Sequence, residues 1–273
     1  MSIKAFRVAQ EGNLLFDSNA STLDEMTREL PEGFYTTFST LANGTKVLGL
    51  HSHLQRLYVP AREKGLNPSV DETELRARIA GLVKENLPKE SRVRLVLAKH
   101  SGVIYIGIQY FEPISEIVYS NGVHVITTEL SRRSPRIKDT AFIASSVSQR
   151  KAIGKNVFEV LLTKNGMILE GMTSNFYGIK GKSLVTARRG ILLGVTRKAI
   201  LRLARGRGMP IEYRSPDVNE NFDEAFLTSS SRGVVPIVSI DNKSVGRGKV
   251  GRWTKILSKA YQLYVQVRSE FIL

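Results

Sequence analysis

A lysine, a glutamate and a helix start are the residues here whose types and spacing could do chemistry together. Lys138 lies in Arg136-Ile137-Lys138-Asp139. A lysine attacks a carbonyl carbon only when unprotonated, so a reactive one needs burial or nearby positive charge to lower its pKa. Arg132, Arg133 and Arg136 stand just upstream and would supply that charge if they faced inward. Taken alone, Lys138 reads as a surface lysine in a basic loop, and two downstream motifs change that reading. Glu170 is followed by Gly171-Met172-Thr173-Ser174-Asn175-Phe176-Tyr177. Glycine permits close backbone approach, and the polar run can hydrogen-bond a ligand, which argues against a solvated hairpin glutamate. Gly194-Val195-Thr196-Arg197 then opens a helical pattern. The first N–H groups of a helix lack internal partners and sit at the positive end of its dipole, so a phosphate fits there. Thr196 adds a hydroxyl donor, although threonine is also a common N-cap.

An amine, an anion and a phosphate cradle are the parts needed to hold pyridoxal phosphate and use it. Ile137-Lys138, Glu170-Gly171-x-Thr173-Ser174-Asn175-Phe176 and Gly194-Val195-Thr196-Arg197, in that order, resemble the class IV aminotransferases. That family holds branched-chain aminotransferases, D-amino acid aminotransferases and aminodeoxychorismate lyases. The likeness runs from about Phe34 to Trp253 and is strongest after Lys138. It implies Lys138 as the Schiff-base lysine and proton carrier, Glu170 as the partner of the pyridine nitrogen, and Val195 and Thr196 as the phosphate-binding turn. Asn175 would fix the loop. Ser229 and Ser230, in Ser229-Ser230-Ser231, match the hydroxyl-bearing turn that also touches the phosphate, Ser230 most closely; an ordinary Ser-rich loop is the alternative. Arg56, in His53-Leu54-Gln55-Arg56-Leu57, resembles an element whose arginine reaches the phosphate with its planar fork. A helix-surface arginine is the competing reading, and His53 reads as a packing or capping residue.

The pattern also departs from the family. Pro31-Glu32-Gly33 stands where Gly-Asp-Gly is usual, and Ala141 and Phe142 stand where an Asn, often with a Tyr, follows the lysine. Phe142 cannot hydrogen-bond the cofactor's phenolate oxygen. Tyr35 is the candidate substrate-facing side chain. With Phe34 and Phe38 it makes the strand apolar, which favours an apolar or branched-chain L-amino acid. The D-amino acid enzymes place carboxylate-binding Arg and His residues in a longer loop near Lys99-His100-Ser101-Gly102; here only His100 and Lys99 are available. The expected activity is amino-group exchange between an amino acid and a 2-oxo acid. The alternatives are aminodeoxychorismate lyase chemistry on the same scaffold, or a basic binding protein that keeps the fold without catalysis.

The elements around these residues give the fold class. Ala5–Val8 and Leu14–Phe16 read as strands, Leu23–Leu30 as a helix, and Phe34–Leu41 as a strand turning at Asn43-Gly44. Helices are expected over Ser52–Lys64 and Asp71–Asn86, and an antiparallel pair over Val93–Leu97 and Val103–Gln109. Beyond, strand Val123–Thr127 precedes a helix from Lys138 to Ala152. Short strands alternate with a helix from Val195, and a last helix spans Trp253–Arg268. Hairpins mixed with helices argue for mixed α/β sheets, not a doubly wound parallel fold. The resemblance implies the fold type IV architecture: a small N-terminal α/β lobe (1–115), a linker (116–122) and a larger C-terminal lobe (123–273) with the cofactor between the lobes, usually in a homodimer. The 273 residues carry 42% hydrophobic residues, a net charge of +15 and no cysteine. No apolar run reaches about eighteen residues. Met1–Lys4 lacks a signal-peptide run, and the absence of cysteine fits a reducing cytoplasm. The basic residues are spread, without the aromatic-rich pattern of an RNA motif, so no nucleic-acid partner is expected. No cluster with metal-ligand spacing is present, so no catalytic metal is expected.

Overall fold

A computed structural model describes residues 3–154 and 156–273. Met1 and Ser2, the start of the segment judged above to lack a signal peptide, lie outside the described residues, as does Lys155. The chain forms two compact units. The first holds the chain up to Glu112 together with Ile137–Ser145 and Arg268–Leu273; the second holds Pro113–Arg136 and Ser146–Val267.

In the first unit the elements are β1 (Lys4–Ala9), β2 (Gly12–Phe16), α1 (Leu23–Glu29), β3 (Gly33–Leu41), β4 (Lys46–Leu48), α2 (Leu50–Glu63), α3 (Glu72–Lys84), β5 (Ser91–Ala98) and β6 (Ile104–Tyr110). Thr22 and Glu25 close a reciprocal capping box on α1, and the Asp71 side chain caps α3, which removes orphan donors at both helix starts. Among the described residues the strands make one antiparallel sheet, with β3 and β5 at its middle. Side chains alternate across it. Phe34, Phe38, Val93, Leu95 and Leu97 face the core shared with Leu54 and Leu57 of α2 and Leu75 and Ile79 of α3. Tyr35 and Val96 face the other side, with Leu23 and Met26 of α1.

In the second unit, α4 (Glu116–Asn121) and β7 (Val123–Glu129) come first. The chain then passes through α5 (Ala141–Ser145), which belongs to the first unit, and returns as α6 (Val147–Arg150). Next are β8 (Glu159–Lys164), β9 (Met167–Gly171), β10 (Asn175–Lys180), β11 (Ser183–Thr186), α7 (Val195–Arg205), β12 (Ile211–Tyr213), β13 (Glu224–Ser229), β14 (Gly233–Ile240), β15 (Lys243–Ser244) and α8 (Arg252–Arg268). Its sheet runs β12-β11-β10-β13-β14-β7-β8-β9, parallel at β11–β12, β14–β7 and β7–β8 and antiparallel elsewhere. Both units thus have the mixed α/β character expected. Strand β16 (Ser269–Phe271) returns to the first unit and pairs with β4.

Four expectations need correction. The stretch 116–122 is no linker: Ser115 accepts from Ile117 N–H and starts α4. The lobes are not contiguous, since 137–145 and the C-terminus join the first unit. Lys138 to Ala152 is not one helix. Residues 138–140 instead add to the edge of β3: Lys138 O accepts from Tyr35 N–H at 2.8 Å, and Gly33 and Thr140 exchange two bonds of 2.9 Å. Only the short α5 and α6 follow. Finally, Phe38 is not substrate-facing. It lies three residues from Tyr35, hence on the opposite face, and is 1% exposed in the core beside His53.

His100, by contrast, is exposed in the β5–β6 turn. Phe38→Ala is therefore expected to lower stability by about 3–5 kcal/mol through cavity formation. His100→Ala should stay within about 0.5 kcal/mol of the parent. Urea unfolding of the two variants checks both.

Candidate functional site

Lys138 is held by backbone, through the edge pairing with β3 that continues as a bridge between Phe34 and Asp139. Asp139 is fixed in turn by Lys99 at 2.7 Å, which also reaches Glu32 at 3.5 Å. Lys99 is thus committed to structure, leaving His100 alone of that pair. The Lys138 ammonium sits 4.8 Å from the centre of the Tyr35 ring. The Arg94 guanidinium lies 5.1 Å from the same ring. Arg94 is buried and locked by Thr37, Thr27, the Leu23 carbonyl and Asp24. The cation that shares a ring with Lys138 is therefore Arg94, not one of the upstream arginines. Gly33 is required here because a Cβ would stand 2.3 Å from the Leu97 carbonyl oxygen.

His53 is the packing residue expected, buried with Nδ1 2.8 Å from Thr36 Oγ1. Burial holds its imidazole well below the ordinary value, and the charges of Arg56 and Lys138 add to that. Arg56 is half-buried on α2. Both proposed cofactor cations of the first unit thus act on one neutral ring.

In the second unit Glu170 is the next-to-last residue of β9, opposite Leu162 and beside a bulge in the β8–β9 ladder. It is 2% exposed. Arg132 Nε donates to it at 2.8 Å, Leu192 N–H at 3.0 Å and Asn175 Nδ2 at 3.2 Å. Asn175 also donates to the Leu192 carbonyl, so it fixes the loop as expected. Burial nevertheless pushes the Glu170 carboxyl up to about 7, against the pull of Arg132 and the Leu192 N–H. The Leu192 loop runs directly into Gly194 and α7. Gly194 is needed because a Cβ would meet Asn175 Oδ1 at 2.4 Å. No side chain caps α7, so its first N–H groups remain for an anion. Val195 is half-buried, while Thr196 is buried with Oγ1 3.3 Å from the Tyr261 hydroxyl. Glu170, Asn175, Val195 and Thr196 are therefore brought together by one loop.

Sequence reasoning missed three residues. Arg132 was seen only as a source of charge for Lys138, yet it is Glu170's ion-pair partner. Glu159 is fully buried and accepts from Thr173 Oγ1 at 2.6 Å, Ser174 Oγ at 3.2 Å and Arg232 Nη2 at 2.9 Å. Arg232 also donates to Ser229 Oγ at 3.2 Å, so this pair links the loop after Glu170 to the serine turn. Ser229 is half-buried and Ser230 exposed. No local signal marks Glu159; it is a lone acid at the head of an apolar strand.

The shift at Glu170 has a thermodynamic consequence. Its folded pKa lies above the unfolded one, so its contribution to stability is full below about pH 4.5 and is lost as pH rises through about 7. The change is on the order of 3 kcal/mol. His53 works in the opposite sense, losing stability as pH falls below about 6.5. The difference between parent and Glu170→Gln isolates the first effect. Thermal or urea unfolding of the cofactor-free proteins should show the parent losing stability relative to the variant between pH 4.5 and 7.

The chain matches the family described as Amino-transferase class IV over residues 33–240. It is 31% identical over 229 residues to a D-alanine aminotransferase of Bacillus licheniformis, covering 78% of this chain and 81% of that protein. It is 26% identical over 249 residues to a branched-chain-amino-acid aminotransferase of Pseudomonas aeruginosa, covering 83% and 81%. Its fold matches a branched-chain aminotransferase of the thermophilic archaeon Thermoproteus uzoniensis, solved with norvaline, at TM-score 0.76 and 19% identity over 99% of each chain. With the family matched from the start of β3 to the end of β14, the chain belongs to the class IV aminotransferases.

Proposed function

We propose that this protein is a pyridoxal-phosphate-dependent aminotransferase that moves an amino group between an amino acid and a 2-oxo acid. The observation that carries the reading is Glu170: a buried carboxyl with a pKa raised to about 7, accepting from the N–H of Leu192 in the loop that leads to an uncapped helix start. That donor set fits the cofactor's two ends, ring nitrogen and phosphate. When bound, pyridoxal phosphate supplies a carbonyl carbon for the amine exchange and a ring that withdraws the electrons released at the substrate's Cα.

Lys138 would supply the amine that holds the cofactor and, once released, the base that takes the proton from the substrate's Cα. Tyr35, in contact with the Lys138 ammonium, orients it and lines the substrate side. Glu170 would face the ring nitrogen and favour its protonated form, and Arg132 and Asn175 hold Glu170 in place. The N–H groups of Val195 and Thr196 bind the phosphate, with Ser229, Ser230 and Arg56 as further donors. Glu159 and Arg232 position the serine turn. The substrate is read as an apolar or branched-chain amino acid, a reading that now rests on Tyr35 without Phe38. Membership of the family supports a homodimer.

Purified protein supplemented with pyridoxal phosphate should show a visible absorption band that Lys138→Ala abolishes. A colourless protein that retains no cofactor would sink this reading. Leucine and D-alanine as donors to 2-oxoglutarate, run beside aminodeoxychorismate, separate the family's activities; pyruvate release from the last compound alone would replace transamination by lyase chemistry. Glu170→Gln should keep the cofactor but lower kcat by about 10²-fold or more. Glu159→Gln should weaken retention of pyridoxal phosphate more than that of unphosphorylated pyridoxal, measured by equilibrium dialysis.

A further inference from the structure

The second unit contains a cavity of about 630 Å3 lined by Arg136, Arg188, Arg189, Tyr213, Arg214 and Ser215. None of the residues assigned to the cofactor lines it. A neighbouring cavity of about 380 Å3 shares Arg136, Arg188 and Tyr213 and adds Lys198. Three stretches of chain converge here: the segment before Lys138, the loop after β11, and β12 with the residues that follow it.

The charges are unequal in standing. Arg214 is neutralised, donating to both oxygens of Glu220 at 2.6 Å and to Glu212 at 3.2 Å. Arg136, Arg188, Arg189 and Lys198 have no carboxylate partner among the described residues. No acidic side chain lines either cavity. Like charges gathered without counter-charge repel, so the arrangement favours an anion that arrives from solution. The cavity is also built. Arg136 Nη2 donates to the Arg188 carbonyl at 3.2 Å, and the Arg188 guanidinium lies 5.6 Å from the centre of the Tyr213 ring. Arg205 lies over the same ring at 5.9 Å and donates to its hydroxyl. With two guanidinium groups already over Tyr213, the ring orients cations and is not left to stack on a nucleobase.

Guanidinium forks match phosphoryl and carboxylate oxygens in pairs. A single carboxylate would leave two of the three arginines uncompensated, and a single phosphoryl group, with a charge of about −2, would leave one. The volume lies in the range of about 300–1,000 Å3 typical of small-molecule sites. We propose that this arginine cavity binds a small polyanion bearing two or more phosphoryl or carboxylate groups, at a site separate from the proposed cofactor residues.

Isothermal titration of the full chain tests this, after loading with pyridoxal phosphate and removal of the free cofactor by desalting, so that the cofactor site is filled and no free phosphoryl compound competes. The probes are inorganic triphosphate, citrate and orthophosphate at constant ionic strength. Triphosphate or citrate should bind at one per chain and at least tenfold more tightly than orthophosphate; the tighter of the two tells phosphoryl from carboxylate. Arg188→Ser combined with Arg189→Ser, both exposed positions, should weaken that binding at least tenfold. Lys249→Ser, an exposed cation elsewhere in the same unit, should leave it unchanged. Equal affinity for all three anions, or binding that survives the double substitution, overturns the proposal. Tighter binding of a single-stranded oligonucleotide, lost in the same variant, overturns it in favour of nucleic acid. The visible band reports on the cofactor independently, so failure here leaves the aminotransferase reading standing.

Discussion

The second unit depends on taking a carboxylate out of water at Glu170. A buried charge is costly unless donors replace its hydration. Here the replacements are Arg132, the Leu192 N–H and Asn175. Each ties a different stretch of chain to the end of β9: the segment after β7, the loop before α7, and the start of β10. The compensation is incomplete, since burial outweighs the donors and leaves the group near neutrality. A fully satisfied carboxylate would stay ionised with nothing left to offer. One balanced near pH 7 can respond to a cationic partner by gaining full charge.

The same use of acids as acceptors for backbone and hydroxyl donors recurs through the chain. Glu224, buried, accepts from Trp253 N–H, Thr254 N–H and Thr254 Oγ1, and so starts α8. Glu159 holds the Thr173 loop. In the first unit Glu90 fixes the β3–β4 turn through Asn43 and Gly44 N–H, and Glu270 accepts from Leu50 N–H at the head of α2. The chain has 25 acids against 40 bases. When several acids are drawn to helix starts and loops, fewer remain to pair with surface arginines.

How much of this was legible in the sequence depends on how local the cause is. Strands β3, β5 and β6 and helices α2 and α3 were readable from period and caps, because alternation and N-cap chemistry act within a few residues. Glu170 and Thr196 could be singled out because each lies in a short contiguous motif of its own. The ion pairs that hold the site were not. Arg132 meets Glu170 across 38 residues, Glu159 meets Arg232 across 73, and Arg94 meets Asp24 across 70. Nothing local distinguishes those arginines from the others. Phe38 was misplaced by treating an apolar strand as one surface, when the pleat assigns its neighbours to opposite faces. The expected helix at Lys138 failed because backbone groups of residues 138–140 found partners on β3, a tertiary gain that propensity does not register.

The same pairing of residues 138–140 with β3 stands beside the departure at Ala141 and Phe142. The resemblance expects side-chain amide or phenol chemistry just after the lysine, and this chain has neither. The lysine's placement does not need it. Residues 138–140 are fixed by backbone bonds to Tyr35 and Gly33, by the Thr140 hydroxyl and by the Asp139–Lys99 pair. Asp139 also accepts from Ala141 N–H at 3.0 Å and so turns the chain into α5. Phe142, mostly buried, and Ile143, packed among Leu23, Met26 and Tyr35, then anchor that helix through apolar contact. Positioning of the amine and hydrogen bonding to a ligand are therefore separable tasks in this segment. Ala141 and Phe142 offer no side-chain donor for the second task, while the backbone pairing that serves the first is intact.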